Sequence, residues 1–228
     1  MARLAILLCE GTPGKQHLQL ARVLDFFGVS WKIIEASKLA DVEGDAREHV
    51  VFGLAQTLAT ALRQTQRANR STAPYAAYYV YMGDDREASE RALQSLCGNV
   101  NLLLRRPPSG DLALRVSHEL PDVTGPMSGL EFLARVRSED SVLAGVAGEE
   151  SGVSTVISAG GAPVFVRFHH GSTPVFVCSS SYIIDLDQAV EPSYYDVKDH
   201  FCSVVPLLMF VRLMFPDGAW RGLAWAEC

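Results

Sequence analysis

The sequence predicts an α/β protein with a doubly wound, mainly parallel sheet, a C-terminal β-hairpin and a closing helix. Three patterns indicate this class. In the first half, short apolar runs alternate with segments of helical periodicity, as in successive βα units. Two β-rich runs, at residues 163–169 and 174–179, flank a short polar turn (residues 170–173) that contains Gly171. A last apolar segment, residues 201–215, has the length and composition of a helix that covers a sheet.

The first half of the chain supplies the predicted parallel strands. Their apolar residues form short runs, whereas the segments between them carry apolar residues three and four positions apart. Gly28 is suited to end the first helix. Strands are predicted at residues 4–9, 31–35, 75–82 and 100–104, and helices at residues 15–27, 48–66 and 84–96.

The second half has a less regular pattern. A strand is predicted at residues 112–116 and a Pro/Gly-rich turn at residues 121–129. Residues 130–136 fit either a strand or a short helix, and the acidic stretch 185–199 is long enough for a functional loop. We predict one domain over residues 1–228. The apolar residues 219–228 suit either a chain that continues into another domain or an end that packs on this one.

Composition argues against several kinds of partner. The net charge of −6 disfavours a nucleic-acid-binding surface, which is usually basic. No apolar run is long enough to cross a membrane, and the short apolar N-terminus has no cleavage site for secretion. The five cysteines are odd in number and form no CxxC motif, so neither a zinc site nor a disulfide framework is indicated. We therefore expect a cytoplasmic protein without metal or cofactor.

A candidate ligand site follows from the predicted topology. In an open α/β sheet the carboxyl ends of the strands and the N-termini of the helices share one edge. Loop carboxylates at this edge would disfavour an anionic ligand and suit a small hydroxylated or cationic one. The long acidic loop could fold over the edge and complete the site. The candidate residues are Glu10, Gly11 and Gly14 after the first strand, Asp84 and Asp85 after the third, Ser179 and Ser180 after the hairpin, and Tyr194, Asp199 and His200 in the long loop.

Several of these residues also have a purely structural interpretation. Asp84 and Asp85 precede a helix, where an aspartate is a favoured N-cap. The glycines between the first strand and helix lack the spacing of a phosphate-binding loop, because only two residues separate Gly11 from Gly14. Ordinary turns and helix caps therefore explain this edge as well as a ligand does.

Three segments of the second half occur in an order that matches a known family. They are PDVTGPM at residues 121–127, PVFVR at residues 163–167 followed by Gly171, and residues 175–179 followed by the apolar helix. This order resembles class I glutamine amidotransferase-like domains, in particular the trehalose-utilisation type. The resemblance implies a flavodoxin- or amidotransferase-like α/β fold. Two positions depart from the family: Leu120 stands where its histidine precedes the proline, and His170-Gly171-Ser172 replaces a Gly-Lys-Gly turn.

The resemblance also implies where a catalytic cysteine would lie. True amidotransferases carry it in a G-x-C-x-G turn between a strand and a helix. Here Cys9 ends the first predicted strand, Cys97 ends a helix and Cys178 ends a strand that no helix pattern follows. The chain thus resembles the amidotransferase-like domains that lack this cysteine and occur at the N-terminus of polysaccharide-deacetylase-like proteins. This resemblance implies that the chain is a carbohydrate-associated module and that its partner is a covalently linked second domain.

The sequence is compatible with three different functions. The first is a noncatalytic module that binds a ligand or a partner, and the absent cysteine turn favours it over an enzyme. The second is a hydrolase or transferase that uses Cys178 with a histidine, or a site built from His118, His170 or His200 and aspartates. The third is a receiver-like signalling domain, which would need an acidic pair after the first strand, where only Glu10 stands.

Overall fold

The computed structural model describes residues 3–42, 46–67, 75–83, 85–97, 103–106, 110–136, 142–144, 152–179 and 201–216. The strands within these ranges are β1 (Leu4–Cys9), β2 (Trp31–Glu35), β3 (His49–Leu54), β4 (Ala77–Tyr81), β5 (Leu103–Arg105), β6 (Gly110–Val116), β7 (Glu131–Val136), β8 (Val142–Ala144), β9 (Ser154–Ala159), β10 (Ala162–His170) and β11 (Thr173–Cys178). The helices are α1 (Lys15–Phe26), α2 (Ala55–Arg67), α3 (Arg86–Cys97), α4 (Pro121–Thr124) and α5 (Phe201–Met214).

Nine of these strands form one mixed sheet in the order β2-β1-β3-β4-β11-β10-β9-β6-β7. The neighbours from β2 to β11 are parallel. The hairpin then reverses direction, and the strands from β11 to β7 are antiparallel. The predicted α/β class with a C-terminal hairpin is therefore confirmed, and β11, the last strand among the described residues, lies at the centre of the sheet.

Helices cover both faces of the parallel half. Alternate residues of a strand point to opposite faces, and β1 shows this directly. Leu7 packs in the core on the face of α1 and α5, whereas Ile6 packs in the core on the face of α2 and α3. β11 is buried on both faces, as its unbroken apolar run predicts. Among the described residues, no helix is long and apolar enough to span a bilayer.

An aromatic cluster attaches the closing helix to the centre of the sheet. Phe210 of α5 is 1% exposed and lies over three neighbouring strands. Its ring centroid is 5.4 Å from that of Phe52, 4.9 Å from that of Tyr79 and 5.1 Å from that of Phe176. Edge-on and tilted contacts at these distances are favourable for aromatic pairs. α5 is thus held at the point where β3, β4 and β11 meet.

The helix predicted at residues 48–66 is wrong in its first part. His49–Leu54 is a strand, and α2 begins only at Ala55. Val50, Val51 and Phe52 are fully buried between β1 and β4. β-branched and aromatic residues pack well in such a central strand. Because α2 follows without a loop, the periodicity of the helix extends by chance into the strand.

Other sequence predictions need smaller corrections. Leu103–Arg105 does not join the parallel sheet but pairs antiparallel with β8. β9 was not predicted at all, and residues 131–136 are a strand, which resolves the open alternative. The hairpin turn contains only Gly171 and Ser172 between β10 and β11, since His170 and Thr173 already pair. The predicted turn at residues 121–129 contains α4 and a 3₁₀ turn.

Candidate functional site

Three of the segments predicted to form the site end at the same edge of the sheet. β1, β3, β4 and β11 are adjacent and parallel, so their carboxyl ends point the same way. Neighbouring strands are about 4.8 Å apart, which puts the segments after β1 and β11 about 14 Å apart across three spacings. Glu10, Asp85 and Ser179 therefore lie along one edge, which we call the carboxyl edge.

The loop after β1, residues 10–14, is exposed along its whole length. His17 in the first turn of α1 holds its base. The backbone N–H of Gly14 donates to His17 Nδ1 at 3.1 Å, so the ring proton is on Nε2, and Nε2–H donates to the Leu8 carbonyl at 2.8 Å. Gly11 has a φ of +69°, which favours glycine. One buried imidazole thus connects the end of β1 to the start of α1.

We expect substitution of His17 by alanine to lower the free energy of unfolding by about 2 kcal/mol. The change removes a cap and leaves the Gly14 N–H and the Leu8 carbonyl without partners. Urea denaturation measures the effect. Arg22→Ala is the matched control, because Arg22 is exposed on the same helix and should change stability by less than about 0.5 kcal/mol. Equal effects of the two substitutions would contradict the assigned role of His17.

A buried serine, Ser89, makes hydrogen bonds to the turn after β4. Ser89 is 0% exposed and accepts hydrogen bonds from the Gly83 N–H at 3.2 Å and from Gln56 Nε2 at 3.0 Å. Its hydroxyl donates to the Asp85 carbonyl at 2.9 Å. The Asp85 side chain accepts from the Ala88 N–H at 3.0 Å, so Asp85 caps α3 as its structural interpretation predicted. The turn is therefore preorganised.

Ser179 follows β11 at the same edge. It is buried, and its backbone N–H donates to the Val164 carbonyl at 2.9 Å, which extends the hairpin by one residue. The remaining candidates, Asp84, Ser180, Tyr194, Asp199 and His200, lie outside the described residues.

Sequence reasoning missed Gln56 and Ser89, which contact the turn at Gly83. Gln56 was placed inside a long helix, whereas it lies in the first turn of α2, directly at the end of β3. A correct strand boundary would have put it at the carboxyl edge. Ser89 has the sequence context of an ordinary polar helix residue, and only the packing of α2 against α3 makes it a buried hydrogen-bonding centre.

Cys9 and Cys178 are buried, Cys97 is half-buried, and none of the three forms a disulfide bond. Cys9 Sγ lies 3.4 Å from the Gly11 and Ile34 carbonyl oxygens. Burial and the negative charge of Glu35 raise the pKa of Cys9, and burial raises the pKa of Cys97 to about 12. Cys178 is buried at the end of β11. None of the three lies in a strand-to-helix turn, and a raised pKa disfavours the reactive thiolate.

We expect Cys9, Cys97 and Cys178 to react slowly with iodoacetamide in the native protein at pH 8. Their thiols are shielded, and at Cys9 and Cys97 the raised pKa also keeps the thiolate fraction low at this pH. Peptide mass spectrometry after timed alkylation measures each site, with the urea-unfolded protein as the fully reactive control. Selective alkylation of any of the three ahead of the unfolded-state rate would contradict this expectation.

The histidines do not form a metal centre in the part of the chain that is described. No group of three or more His, Cys, Asp or Glu side chains there could hold an ion. His170 Nδ1 lies 2.9 Å from the Leu96 carbonyl at the end of α3, at the opposite edge of the sheet from the candidate residues. His118 is exposed in the segment that precedes α4.

Two segments that carry the family resemblance are in direct contact. Asp122 in the PDVTGPM segment accepts from Arg167 Nη1 of the PVFVR segment at 2.9 Å. Thr124 is buried, and its hydroxyl donates to the Leu120 carbonyl at 3.0 Å. Leu120 contributes its backbone carbonyl to this bond. The contact between Asp122 and Arg167 attaches α4 to β10.

Comparison with known proteins identifies the fold. No family model and no curated protein matches the chain. A ThuA-like protein from Bacteroides uniformis superposes with a TM-score of 0.53 at 11% identity, over 93% of this chain and 91% of that one. A glutamine amidotransferase from Thermotoga maritima gives 0.50 at 7% identity, over 94% and 99%. An exo-β-1,4-mannosidase from an Opitutaceae bacterium gives 0.50 at 10% identity, over 92% of this chain and 36% of that one. The chain has a class I glutamine amidotransferase-like fold.

Proposed function

We propose that the protein is a noncatalytic amidotransferase-like module that binds a small hydroxylated or cationic ligand at the carboxyl edge. The observation that carries the proposal is the convergence of three loop segments on one edge of a parallel sheet. Open α/β sheets bind their ligands at this edge. The hydrogen bonds of Ser89 and His17 support it further, because they hold two of the three segments in fixed positions.

The turn between β4 and α3 supports a noncatalytic role. Amidotransferases carry the nucleophilic cysteine in a strand-to-helix turn, and the turn between β4 and α3, Met82-Gly83-Asp84-Asp85, contains no cysteine. A carboxylate cannot replace the thiolate in forming a stable acyl intermediate from glutamine. The raised pKa values of Cys9 and Cys97 also disfavour a thiolate elsewhere.

The charge of the edge supports a hydroxylated or cationic ligand. Glu10 and Asp85 are exposed carboxylates there, and they would repel an anion. The fold also occurs in part of an exo-β-1,4-mannosidase, so we choose sugars as the class of ligand to test. We extend the proposal to a carbohydrate-associated role and to a linked second domain as partner. We also propose that the protein acts in the cytoplasm, where the thiols of Cys9, Cys97 and Cys178 would stay reduced.

Titration of the ¹⁵N-labelled protein with D-mannose, D-glucosamine and sodium sulfate tests the proposal. We expect the two sugars to shift the backbone amides of Gly11, Gly14 and Gly83 and sulfate to leave them unchanged. Asp85→Asn is a matched variant, since asparagine also caps a helix but carries no charge. It should weaken binding of glucosamine more than binding of mannose. Shifts confined to other surfaces, or no shift with either sugar, would refute the proposal.

A further inference from the structure

The amide oxygen of Gln56 is a buried acceptor without a partner among the described residues. Gln56 Oε1 makes no hydrogen bond there, although the Nε2 atom of the same amide has two neighbours. Nε2 lies 3.0 Å from Ser89 Oγ and 3.5 Å from the Asp85 carbonyl. A buried acceptor that loses water without gaining a donor costs free energy, so its retention needs an explanation.

The orientation of this amide follows from the hydrogen bonds of Ser89. A serine hydroxyl has one proton, and the Ser89 proton goes to the Asp85 carbonyl at 2.9 Å. Toward Gln56 the hydroxyl can therefore only accept, so the NH₂ group of the amide must face it. A rotated amide would bring two acceptors together at this contact. Oε1 is thus the atom that is left without a donor.

The position of the amide places this oxygen at the candidate site. Gln56 is in the first turn of α2, and its amide lies against Gly83 in the turn after β4. A Cβ atom added to Gly83 would lie 3.2 Å from Gln56 Nε2 and 3.5 Å from Oε1. Both residues are half-buried, but Oε1 itself is buried. A donor group therefore reaches it only when the turn at Gly83 moves aside, and glycine has no side chain that would have to move with it.

We propose that Gln56 is a specificity-determining residue whose Oε1 accepts a hydrogen bond from a hydroxyl or ammonium group of the ligand. This inference rests on the proposed function and specifies its ligand as a hydrogen-bond donor. The surrounding groups agree with this chemistry. The Asp85 and Glu10 carboxylates add further acceptors on the same edge, and Ser89 keeps the amide from turning its NH₂ group outward.

The test compares the wild-type protein with Gln56→Met and Gln56→Glu. Methionine has a similar length and offers no amide acceptor, whereas glutamate keeps acceptor oxygens and loses the donor to Ser89. We expect Gln56→Met to weaken binding of D-mannose and D-glucosamine about tenfold, the usual effect of losing one such bond. Gln56→Glu should bind glucosamine at least as well as the wild type. Addition of either sugar to the wild-type protein should also move the ¹³Cδ resonance of Gln56 downfield, as a new hydrogen bond to its carbonyl requires.

The outcomes separate this inference from the proposed function. Equal affinities of the wild type and Gln56→Met, with an unmoved Gln56 ¹³Cδ resonance, would overturn the role of Gln56 while sugars still shift Gly11 and Gly14. Absence of any sugar-induced shift at the carboxyl edge would overturn both. If Gln56→Met does not fold, the ¹³Cδ resonance decides, because it is measured on the unsubstituted protein.

Discussion

Replacing Phe210 by alanine should lower the free energy of unfolding by about 4 kcal/mol, as is typical of a buried phenylalanine. The ring contacts Phe52, Tyr79 and Phe176 on three adjacent strands. Its removal leaves a cavity where α5 meets the centre of a stiff sheet, and the strands cannot move in to fill it. The loss is measured from urea denaturation curves of the two proteins.

Phe26→Ala is the matched control for this substitution. Phe26 is 70% exposed on α1, so its removal should change stability by less than about 1 kcal/mol. A loss below about 1.5 kcal/mol for Phe210→Ala would show that α5 does not depend on this aromatic cluster.

Raising the pH above 10 should destabilise the protein steeply. Burial raises the pKa values of Tyr78, Tyr79 and Tyr81, and Cys178 raises that of Tyr79 further. In the unfolded chain the same groups ionise near pH 10. The stability they contribute is therefore fully present below about pH 10 and falls as the pH rises toward their folded-state values. Each tyrosine adds a slope of about 1.4 kcal/mol per pH unit, about 4 kcal/mol for the three together.

Urea midpoints measured between pH 8 and pH 11.5 test this slope. Tyr79→Phe is the matched variant, because it keeps the ring and removes one ionisable hydroxyl. Its slope should be smaller than that of the wild type by about 1.4 kcal/mol per pH unit, the contribution of one tyrosine. A midpoint that stays constant up to pH 11.5 would mean that these hydroxyls ionise as easily in the folded protein as in the unfolded chain.

Elements with a strong local pattern could be predicted from the sequence. β1 and the hairpin of β10 and β11 have apolar or alternating runs bounded by glycine turns, and both are confirmed. β3 was not predicted as a strand because its apolar residues continue into those of α2 without an intervening turn. β9 was not predicted because its sequence, STVISA, is only partly apolar. Strand order cannot be obtained from periodicity, since the position of β11 beside β4 depends on contacts between distant segments.

The position of the candidate site could be predicted from the sequence, but the hydrogen bonds that hold it could not. Glu10, Asp85 and Ser179 share an edge because they follow adjacent strands that end in the same direction, which is a property of topology. The hydrogen bonds of Ser89 and Gln56 depend on the junction of α2 with α3, and no local pattern reports such a junction. Sequence reasoning therefore found where loops converge but not which buried groups hold them.

The central place of β11 has a consequence for synthesis on the ribosome. β2, β1, β3 and β4 are complete once residue 81 has emerged, but the next strand in the sheet begins only at residue 173. At about 5–20 residues per second, roughly 90 residues of translation keep the edge of β4 open for about 5–20 s. During this interval Tyr78 and Val80 lie on an unpaired apolar edge, the kind of surface that recruits other strands. We expect nascent chains stalled before residue 173 to associate with chaperones, and chains that have released residue 178 to dissociate from them.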